Sequence, residues 1–255
     1  MTGGDVAVVI PGYNAAATVA DVVVGVQQAL PGATILVVDD GSSDDTASRA
    51  LAAGAAVASH DVNRGKGCAL ATGLAAATAL AGVRFVVTID ADGQHPPALI
   101  PRLLEPLYGH SADLVIGSRR RDAGTMPSQR RLSNGLSSWL VSRATGQKIH
   151  DSQSGFRAMT ASLAASVRCP GSRYEFETEY LIAAAAAGAR IASVWIPTLY
   201  NAERSYFRGV SDTLRIARIF LSEWRAVLRG PEKRGPVVQS SGPAQQGPRP
   251  LAPGP

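Results

Sequence analysis

The sequence is poor in cysteine and in aromatic residues, and it has no long uninterrupted apolar run. Its two cysteines, Cys68 and Cys169, are too few for a disulfide framework and favour a reducing compartment. No zinc-ligand spacing is present, and the N-terminal residues lack the basic and apolar segments of a secretory signal. The most apolar stretches, 69–82 and 181–192, are shorter than the ~20 residues of a transmembrane helix. We therefore expect a cytoplasmic protein that does not span a membrane.

The chain has instead an ample apolar fraction and an uneven distribution of charge. It is 45% hydrophobic and 18% charged, so its 255 residues can form one large α/β domain or two small ones. Residues 1–118 hold 5 basic and 11 acidic side chains, a net charge of −6. Residues 119–255 hold 20 basic and 9 acidic side chains, a net charge of +11. An acidic half suits bound cations and a basic half suits phosphates, anionic lipid or nucleic acid, although a solvated surface with a basic tail is an alternative.

Short apolar runs alternate with helical patterns in the first half of the chain. We expect strands at 6–10, 33–40, 55–60, 85–92 and 113–118, and helices at 16–30, 44–53 and 66–81. This alternation predicts an α/β fold, with a mainly parallel, Rossmann-like sheet flanked by helices. Ligands bind beyond the carboxyl ends of such strands, so the polar residues that follow the strands should share one crevice.

The pattern is looser beyond residue 118. We expect helices at 128–143 and 175–187, an extended segment at 191–200 and a further helix at 210–229. The helix at 210–229 has one apolar face with Trp and Phe and one basic face, which is typical of helices at a membrane surface. Residues 231–255 hold seven of the sixteen prolines and predict a disordered tail.

Acidic residues follow two of the predicted strands. Asp90 and Asp92, with Gln94 beside them, supply the hard oxygen ligands that suit Mg²⁺ or Mn²⁺ and leave open positions for a diphosphate. Loop acids that cap the next helix are the alternative. Asp39 and Asp40 lie at the end of the second strand, where two adjacent acids are costly without a partner, and we expect them to bind a ligand.

The loop Asn-Arg-Gly-Lys-Gly at 63–67 precedes a predicted helix. Backbone amides at a helix N-terminus, with Arg64 and Lys66 beside them, predict an anion site, and a plain loop is the alternative. A second basic cluster comprises residues 119–121 and 130–131. Arginine binds phosphate with two hydrogen bonds, so this cluster fits a phosphate acceptor. It shows neither interleaved aromatic residues nor a nucleic-acid motif, and we expect no nucleic-acid partner.

The combination of motifs is more specific than any one of them. The chain carries, in this order, IPGYN (10–14), VVDDGSSDDT (37–46), NRGKG (63–67), DADGQHPP (90–97), GSR (117–119), DSQSGFRAM (151–159) and YEFETEYLIAA (174–184). It thereby resembles the family 2 glycosyltransferases with the GT-A fold, and among them the polyprenyl-phosphate sugar synthases of the dolichyl-phosphate mannose synthase group. The resemblance spans about residues 6–220. The QxxRW motif of processive polysaccharide synthases is missing, which argues against chain polymerisation.

The resemblance implies roles for individual residues. The metal ligands would be Asp90, Asp92 and Gln94, and the residues at the chemical step would be Asp92, Arg119 and Arg130, with Arg131 an equally plausible neighbour of Arg130. The substrate would be bound by Pro11, Tyr13, Asn14, Asp39, Asp40, Lys66, Asp90, Asp151, Glu177 and Arg204. Asp151 and Glu177 would contact sugar hydroxyls or act as a base, and structural ion pairs with Arg157 or Arg173 are the alternative.

The motifs together predict an inverting, metal-dependent transfer of a hexose from GDP-mannose or a UDP-hexose to polyprenyl phosphate. We expect one GT-A domain at 1–230, with a nucleotide-sugar and metal half at 1–118 and an acceptor half at 119–209. The helix at 210–229 would bind an anionic membrane surface, on its inner face, or a membrane-spanning partner protein. The alternatives are transfer to a hydroxyl of a glycan or small molecule, and a non-catalytic module that binds a nucleotide sugar.

Overall fold

The computed structural model describes residues 3–119, 128–167 and 175–197, with the backbone alone at 128–133 and at 175. Within these ranges the strands are β1 (Val6–Gly12), β2 (Thr34–Asp39), β3 (Ala56–Ser59), β4 (Phe85–Thr88), β5 (Leu114–Arg119), β6 (Arg157–Thr160) and β7 (Ile191–Ile196). The helices are α1 (Val19–Ala29), α2 (Thr46–Ala52), α3 (Lys66–Ala79), α4 (Ile100–Tyr108), α5 (Ser128–Thr145), α6 (Ala161–Ser166) and α7 (Glu175–Ala186). Short 3₁₀ turns lie at Gly3–Asp5 and Pro97–Leu99.

The apolar runs of the sequence form these elements for simple reasons. All seven residues of β1 are buried, as expected of a central strand that is covered on both faces. In α1 the buried residues are Val19, Val22, Val23 and Val26, a spacing that places them on one face of a helix. In α3, a side-chain carbon at Gly73 would collide with the side chain of Val9. Glycine at that position lets α3 pack closely against β1.

The strands form one seven-stranded sheet in the order β3-β2-β1-β4-β6-β5-β7. The pairs β3–β2, β2–β1, β1–β4 and β5–β7 are parallel, so the predicted mainly parallel α/β sheet is confirmed. Strand β6 is antiparallel to both β4 and β5, between which it lies. The sequence pattern did not predict β6, because a four-residue strand that begins with a charged residue shows no clear periodicity.

Two apolar layers cover the sheet. One packs residues of α1 and α4 against alternate residues of β1, β2 and β4, and the other packs α3, α6 and α7 against the opposite face. In the described part of the chain no helix combines the length and apolarity needed to cross a membrane. The predicted helix at 210–229 and the predicted tail at 231–255 lie outside the described residues, and the extended segment at 191–200 is described as far as residue 197.

Strand β4 ends earlier than predicted. Its pairing with β1 extends from Phe85 to Thr88, after which the backbone N–H of Ile89 donates to the carbonyl of Val9. The acidic residues 90 and 92 therefore lie in the turn beyond the strand rather than within it. Side chains on a turn are not forced to alternate between faces, so both carboxylates can approach one ion.

Candidate functional site

The carboxyl ends of β1, β2 and β4 meet at one edge of the sheet. Gly12 at the end of β1 pairs with Asp39 at the end of β2. The hydroxyl of Thr18, in the segment that follows β1, donates to the carbonyl of Ala91 beyond β4 at 2.6 Å. The Asp39 carboxylate accepts a hydrogen bond from the backbone N–H of Ser42 at 3.2 Å. The three strand-end segments therefore meet at one edge of the sheet, and a ligand crevice shared by them stays a prediction.

Asn14 connects the first two of these segments. Its backbone adopts a left-handed conformation with φ 50°, and its side-chain oxygen accepts from the backbone N–H of Ser43 at 2.9 Å. Its own N–H donates to the hydroxyl of Ser42 at 2.9 Å. Pro11 is buried, whereas Tyr13 is 52% exposed. A role for these residues in nucleotide binding stays a prediction.

Asp40 organises the loop that precedes α3. Its Oδ1 contacts Nδ1 of His60 at 2.7 Å and accepts from the backbone N–H of Arg64 at 3.0 Å. Its Oδ2 accepts from the backbone N–H of Gly65 at 2.8 Å. Asp40 is buried and both of its oxygens have protein partners, so it fixes the start of α3 and with it the position of Lys66. Binding of a ligand by Asp40 stays a prediction.

The turn beyond β4 presents the predicted metal ligands. Asp92 Oδ1 accepts from the backbone N–H of Gln94 at 2.9 Å, which orients that carboxylate. The Asp90 carboxylate lies close to Gly155. A side-chain carbon added at Gly155 would stand 2.5 Å and 2.7 Å from the two carboxylate oxygens of Asp90, so only glycine leaves room for this carboxylate. The described residues contain no group of three or more His, Cys, Asp or Glu side chains that could hold a metal ion. Two carboxylates with one amide fit a hard divalent ion that takes further ligands from its substrate.

Lys66 forms ion pairs with two acids. Its Nζ lies 2.8 Å from Asp90 Oδ1 and 2.8 Å from Glu177 Oε1. Burial alone would lower the pKa of Lys66, but the charges of Asp90 and Glu177 outweigh this effect and raise it. The ammonium group is therefore charged at every physiological pH, and it joins the start of α3 to the turn beyond β4 and to α7.

Arg119 forms a two-point ion pair with Asp151. Its Nε donates to Asp151 Oδ2 at 2.7 Å, and its Nη2 donates to Oδ1 at 3.1 Å. Burial acts to raise the pKa of Asp151, but the neighbouring Arg119 guanidinium lowers it below its usual value. Asp151 is therefore ionised near neutral pH, and it holds the guanidinium at the end of β5.

The acidic turn and this arginine lie at the same edge of the sheet, because β4 and β5 run in the same direction on either side of β6. Burial acts to raise the pKa of Asp90, yet the pKa is lowered, mainly by the charge of Lys66 and more weakly by that of Arg119. His95 is buried, stacks on Phe156 with ring centroids 5.5 Å apart, and lies with Nε2 3.9 Å from Asp90 Oδ2. Burial lowers the pKa of His95 to about 4, so its ring is neutral at pH 7.

Arg157 is a structural residue that the sequence pattern did not single out for this role. It is 3% exposed, and its guanidinium donates to the backbone carbonyls of Ser152, Ser154 and Glu177, each at 2.9 Å. The sequence offered an ion pair of Glu177 with Arg157 as one alternative. In the structure the Glu177 carboxylate pairs with Lys66, and Arg157 donates to the backbone carbonyl of Glu177. The Ser-Gly-Phe-Arg motif was the available signal, since two of the three acceptors are the nearby residues Ser152 and Ser154, whereas Glu177 lies 20 residues away.

Other predicted residues lie outside the described part. Arg130 and Arg131 are described by their backbone alone, without side chains. Arg173 and Arg204 lie wholly outside the described residues. Their roles in binding the acceptor phosphate and the donor diphosphate stay predictions.

The chain matches known proteins over most of its length. A model of the family described as Glycosyl transferase family 2 matches residues 7–167. The chain is 32% identical over 225 residues to a UDP-N-acetylglucosamine–dolichyl-phosphate N-acetylglucosaminyltransferase of Methanococcus voltae, and the match covers 80% of this chain and 88% of that protein. It is 32% identical over 243 residues to a polyprenol monophosphomannose synthase of Mycolicibacterium smegmatis, with 90% of each covered.

A solved structure matches the fold as well. Glucosyl-3-phosphoglycerate synthase from Mycobacterium tuberculosis, in complex with Mn²⁺, UDP and glucosyl-3-phosphoglycerate, superposes with a TM-score of 0.66 at 25% identity. The match covers 88% of this chain and 80% of that one. The predicted GT-A fold and the resemblance to polyprenyl-phosphate sugar synthases are thereby confirmed. Because the family model spans more than half of the chain and two relatives exceed 30% identity across most of it, the protein is a glycosyltransferase that belongs to glycosyl transferase family 2.

Proposed function

We propose that the protein transfers a hexose from a nucleotide sugar to polyprenyl phosphate in one displacement that inverts the anomeric centre. The observation that carries this proposal is that the acidic turn beyond β4, with Asp90 and Asp92, and Arg119 at the end of β5 lie at the same edge of the sheet, with Arg119 held there by Asp151. The acids suit a cation and a diphosphate, and the arginine suits a second phosphate. A donor diphosphate and an acceptor phosphate can thus be bound side by side.

Asp90 and Asp92 would hold Mg²⁺ or Mn²⁺, and Gln94 would add a carbonyl ligand. A bound divalent ion stabilises the negative charge that develops on the leaving diphosphate. The related synthase was solved with Mn²⁺ and UDP, which supports a divalent ion as cofactor. Asp40 would position the loop of Lys66, and the crevice at Pro11, Asn14 and Asp39 would receive the nucleoside.

The acceptor is proposed to be a phosphate because Asp151, Glu177 and His95, in the part of the chain that the structure describes, are poorly suited to act as a base for a hydroxyl acceptor. A hydroxyl needs a general base, whereas a phosphate monoester is already ionised near pH 7. Asp151 is bound by Arg119, which lowers its pKa, and Glu177 is paired with Lys66. His95, with a pKa of about 4 because of burial, is a weak base as well. The relatives named for dolichyl phosphate and polyprenol support the same acceptor class.

The donor is proposed to be GDP-mannose or a UDP-hexose. One relative is named for UDP-N-acetylglucosamine, another for mannose, and the related synthase was solved with UDP. These names differ in sugar and nucleotide, so they support a nucleotide sugar as donor class.

The catalytic domain is proposed to act at the inner surface of a membrane, where the isoprenoid tail of the acceptor lies. The basic amphipathic segment at 210–229 would bind anionic lipid, and a membrane-spanning partner is the other possible anchor.

Co-sedimentation with vesicles of anionic and neutral lipid tests whether the segment at 210–229 binds the membrane. We expect binding that needs anionic lipid and is lost when Arg218, Arg225 and Arg229 are replaced by Glu. Unchanged binding of this triple variant would exclude the helix as the anchor.

A donor screen tests the reaction itself. Nucleotide release from GDP-mannose, UDP-glucose and UDP-N-acetylglucosamine is followed with Mn²⁺ or Mg²⁺, with and without polyprenyl phosphate. We expect release from one donor that requires both metal and polyprenyl phosphate, with Asp92→Asn as the matched inactive control. Faster release with a soluble hydroxyl acceptor would favour the alternative transferase. Tight donor binding without any turnover would indicate the non-catalytic module.

A further inference from the structure

The ammonium group of Lys66 is shared between the proposed metal site and a distant helix. Lys66 begins α3, Asp90 lies in the turn beyond β4, and Glu177 lies in the first turn of α7. The Nζ atom is 2.8 Å from a carboxylate oxygen of each acid. One positive charge therefore compensates two negative charges, and one of these belongs to a predicted metal ligand.

A divalent ion bound through Asp90 would lie within a few ångströms of this ammonium. Like charges at such a distance repel strongly where burial limits screening by solvent. The ammonium has to move away from Asp90 if the ion is to bind there without this penalty.

Glu177 has the capacity to receive the displaced ammonium. Its Oε1 already pairs with Lys66, and its Oε2 is buried without a hydrogen-bond partner among the described residues. A lysine side chain has four rotatable carbon links, so a small shift of its head group towards Glu177 needs no change of the backbone.

We propose that Lys66 and the divalent ion compete for Asp90, with Glu177 as the anchor to which the ammonium moves when the ion binds. The inference rests on the proposed metal role of Asp90. Competition makes binding of the ion alone weak. A nucleoside diphosphate brings negative charge that compensates both the ion and the displaced ammonium, so the ion and the nucleotide bind together more tightly than either binds alone.

Binding of Mn²⁺, followed by the electron paramagnetic resonance signal of the free ion, tests the competition directly. The variant Lys66→Met removes the competing charge, and Lys66→Gln removes it while keeping polar contact with both acids. Lys148→Met removes one exposed positive charge elsewhere and serves as the matched control. Each protein is titrated with and without GDP or UDP, and its folding is checked by thermal melting.

We expect both Lys66 variants to bind Mn²⁺ alone more tightly than the wild-type protein, on the order of tenfold. A nucleoside diphosphate should increase the Mn²⁺ affinity of these variants less than that of the wild type. The variants have no displaced ammonium group whose positive charge the diphosphate must compensate. Mn²⁺ should also raise their melting temperature more than that of the wild type. Lys148→Met should match the wild type in all three measurements.

Equal or weaker Mn²⁺ binding by the Lys66 variants would overturn the competition and would mean that Lys66 orients Asp90 for the ion. The variant Asp90→Asn separates this failure from a failure of the proposed function. If Asp90→Asn loses Mn²⁺ while the Lys66 variants show no gain, the metal role stands and only the competition fails. If the wild type binds no Mn²⁺ even with nucleotide, the metal role itself fails and the inference fails with it.

Discussion

Asp151 holds the guanidinium of Arg119 at two points, with Nε 2.7 Å from Oδ2 and Nη2 3.1 Å from Oδ1. The pair joins the end of β5 to the segment before β6, at a sequence separation of 32 residues. The arginine that is proposed to bind the acceptor phosphate is thus oriented by a buried carboxylate before any ligand arrives. A change at either residue is expected to alter both acceptor binding and folding, and the experiments have to separate the two effects.

Arg119→Ala should impair use of the lipid acceptor much more than binding of the donor. Loss of a charged hydrogen-bonding group predicts a fall in kcat/KM for polyprenyl phosphate of roughly 10- to 100-fold. The double variant Arg119→Ala with Asp151→Ala avoids leaving a buried carboxylate unpaired, and the exposed Arg49→Ala is the control. Arg130→Ala should behave in the same direction. An equal loss of donor affinity in a calorimetric titration would contradict the separation of roles.

The Arg119–Asp151 pair should keep its contribution to stability well into the acidic range. Burial opposes ionisation of Asp151, but Arg119 lowers its pKa below the ordinary value of 3.8. A depressed carboxyl pKa stabilises the folded state above pH 3.8, and this contribution is lost as the pH falls through the lower, folded-state value. The difference in unfolding free energy between the wild type and Asp151→Asn should be constant from pH 7 to about 4 and then decrease. Urea unfolding at four pH values measures it, and a decrease between pH 7 and 5 would refute the lowered pKa.

Asp92→Asn should abolish transfer and leave the fold intact. The change keeps the size of the side chain and an oxygen that can accept from the N–H of Gln94, but it removes one of two carboxylate charges. Both metal and diphosphate are expected to bind more weakly as a result. Nucleotide release at saturating Mn²⁺ and a thermal melt measure the two properties. Near-normal turnover would show that Asp92 is not a metal ligand.

Gly155→Ala should disturb the metal site with little effect on folding. The added carbon would stand 2.5 Å from one oxygen of Asp90 and 2.7 Å from the other, so the end of that flexible side chain has to move. We expect Mn²⁺ affinity and activity to fall by roughly 10- to 100-fold, the range seen when groups that support metal ligands are changed. Gly4→Ala, which meets no atom within 4 Å, is the control. Unaltered Mn²⁺ binding would mean that Asp90 does not need its present position.

Arg157→Met should destabilise the protein. The buried guanidinium donates to three backbone carbonyls, and its removal leaves them without these donors. A loss of about 3 kcal/mol in unfolding free energy follows from unmet buried hydrogen bonds of this kind. The exposed Arg190→Met breaks the pair with Asp113 and should have a much smaller effect. Urea unfolding of both variants measures the difference, and similar losses would argue against a special role of Arg157.

The sequence predicted most of the fold for local reasons. The apolar runs of β1, β2 and β4 can be recognised in the sequence without knowing what packs against them. The same holds for the valines of α1, whose spacing places them on one helical face. Acids at the ends of β2 and β4 could be placed at one edge because parallel strands bring their carboxyl ends together. The order of motifs sufficed for the family, since each motif is short and contiguous.

The tertiary structure alone decided which charged groups meet. Lys66 pairs with Asp90 and Glu177, and Arg119 pairs with Asp151, although no spacing in the chain relates these residues. The insertion of the antiparallel strand β6 between β4 and β5 brings Gly155 against Asp90. Such partners depend on how helices and turns from distant parts of the chain pack together. A local pattern specifies the type of each element, whereas the ion pairs of the site depend on distances that arise only when the sheet is assembled.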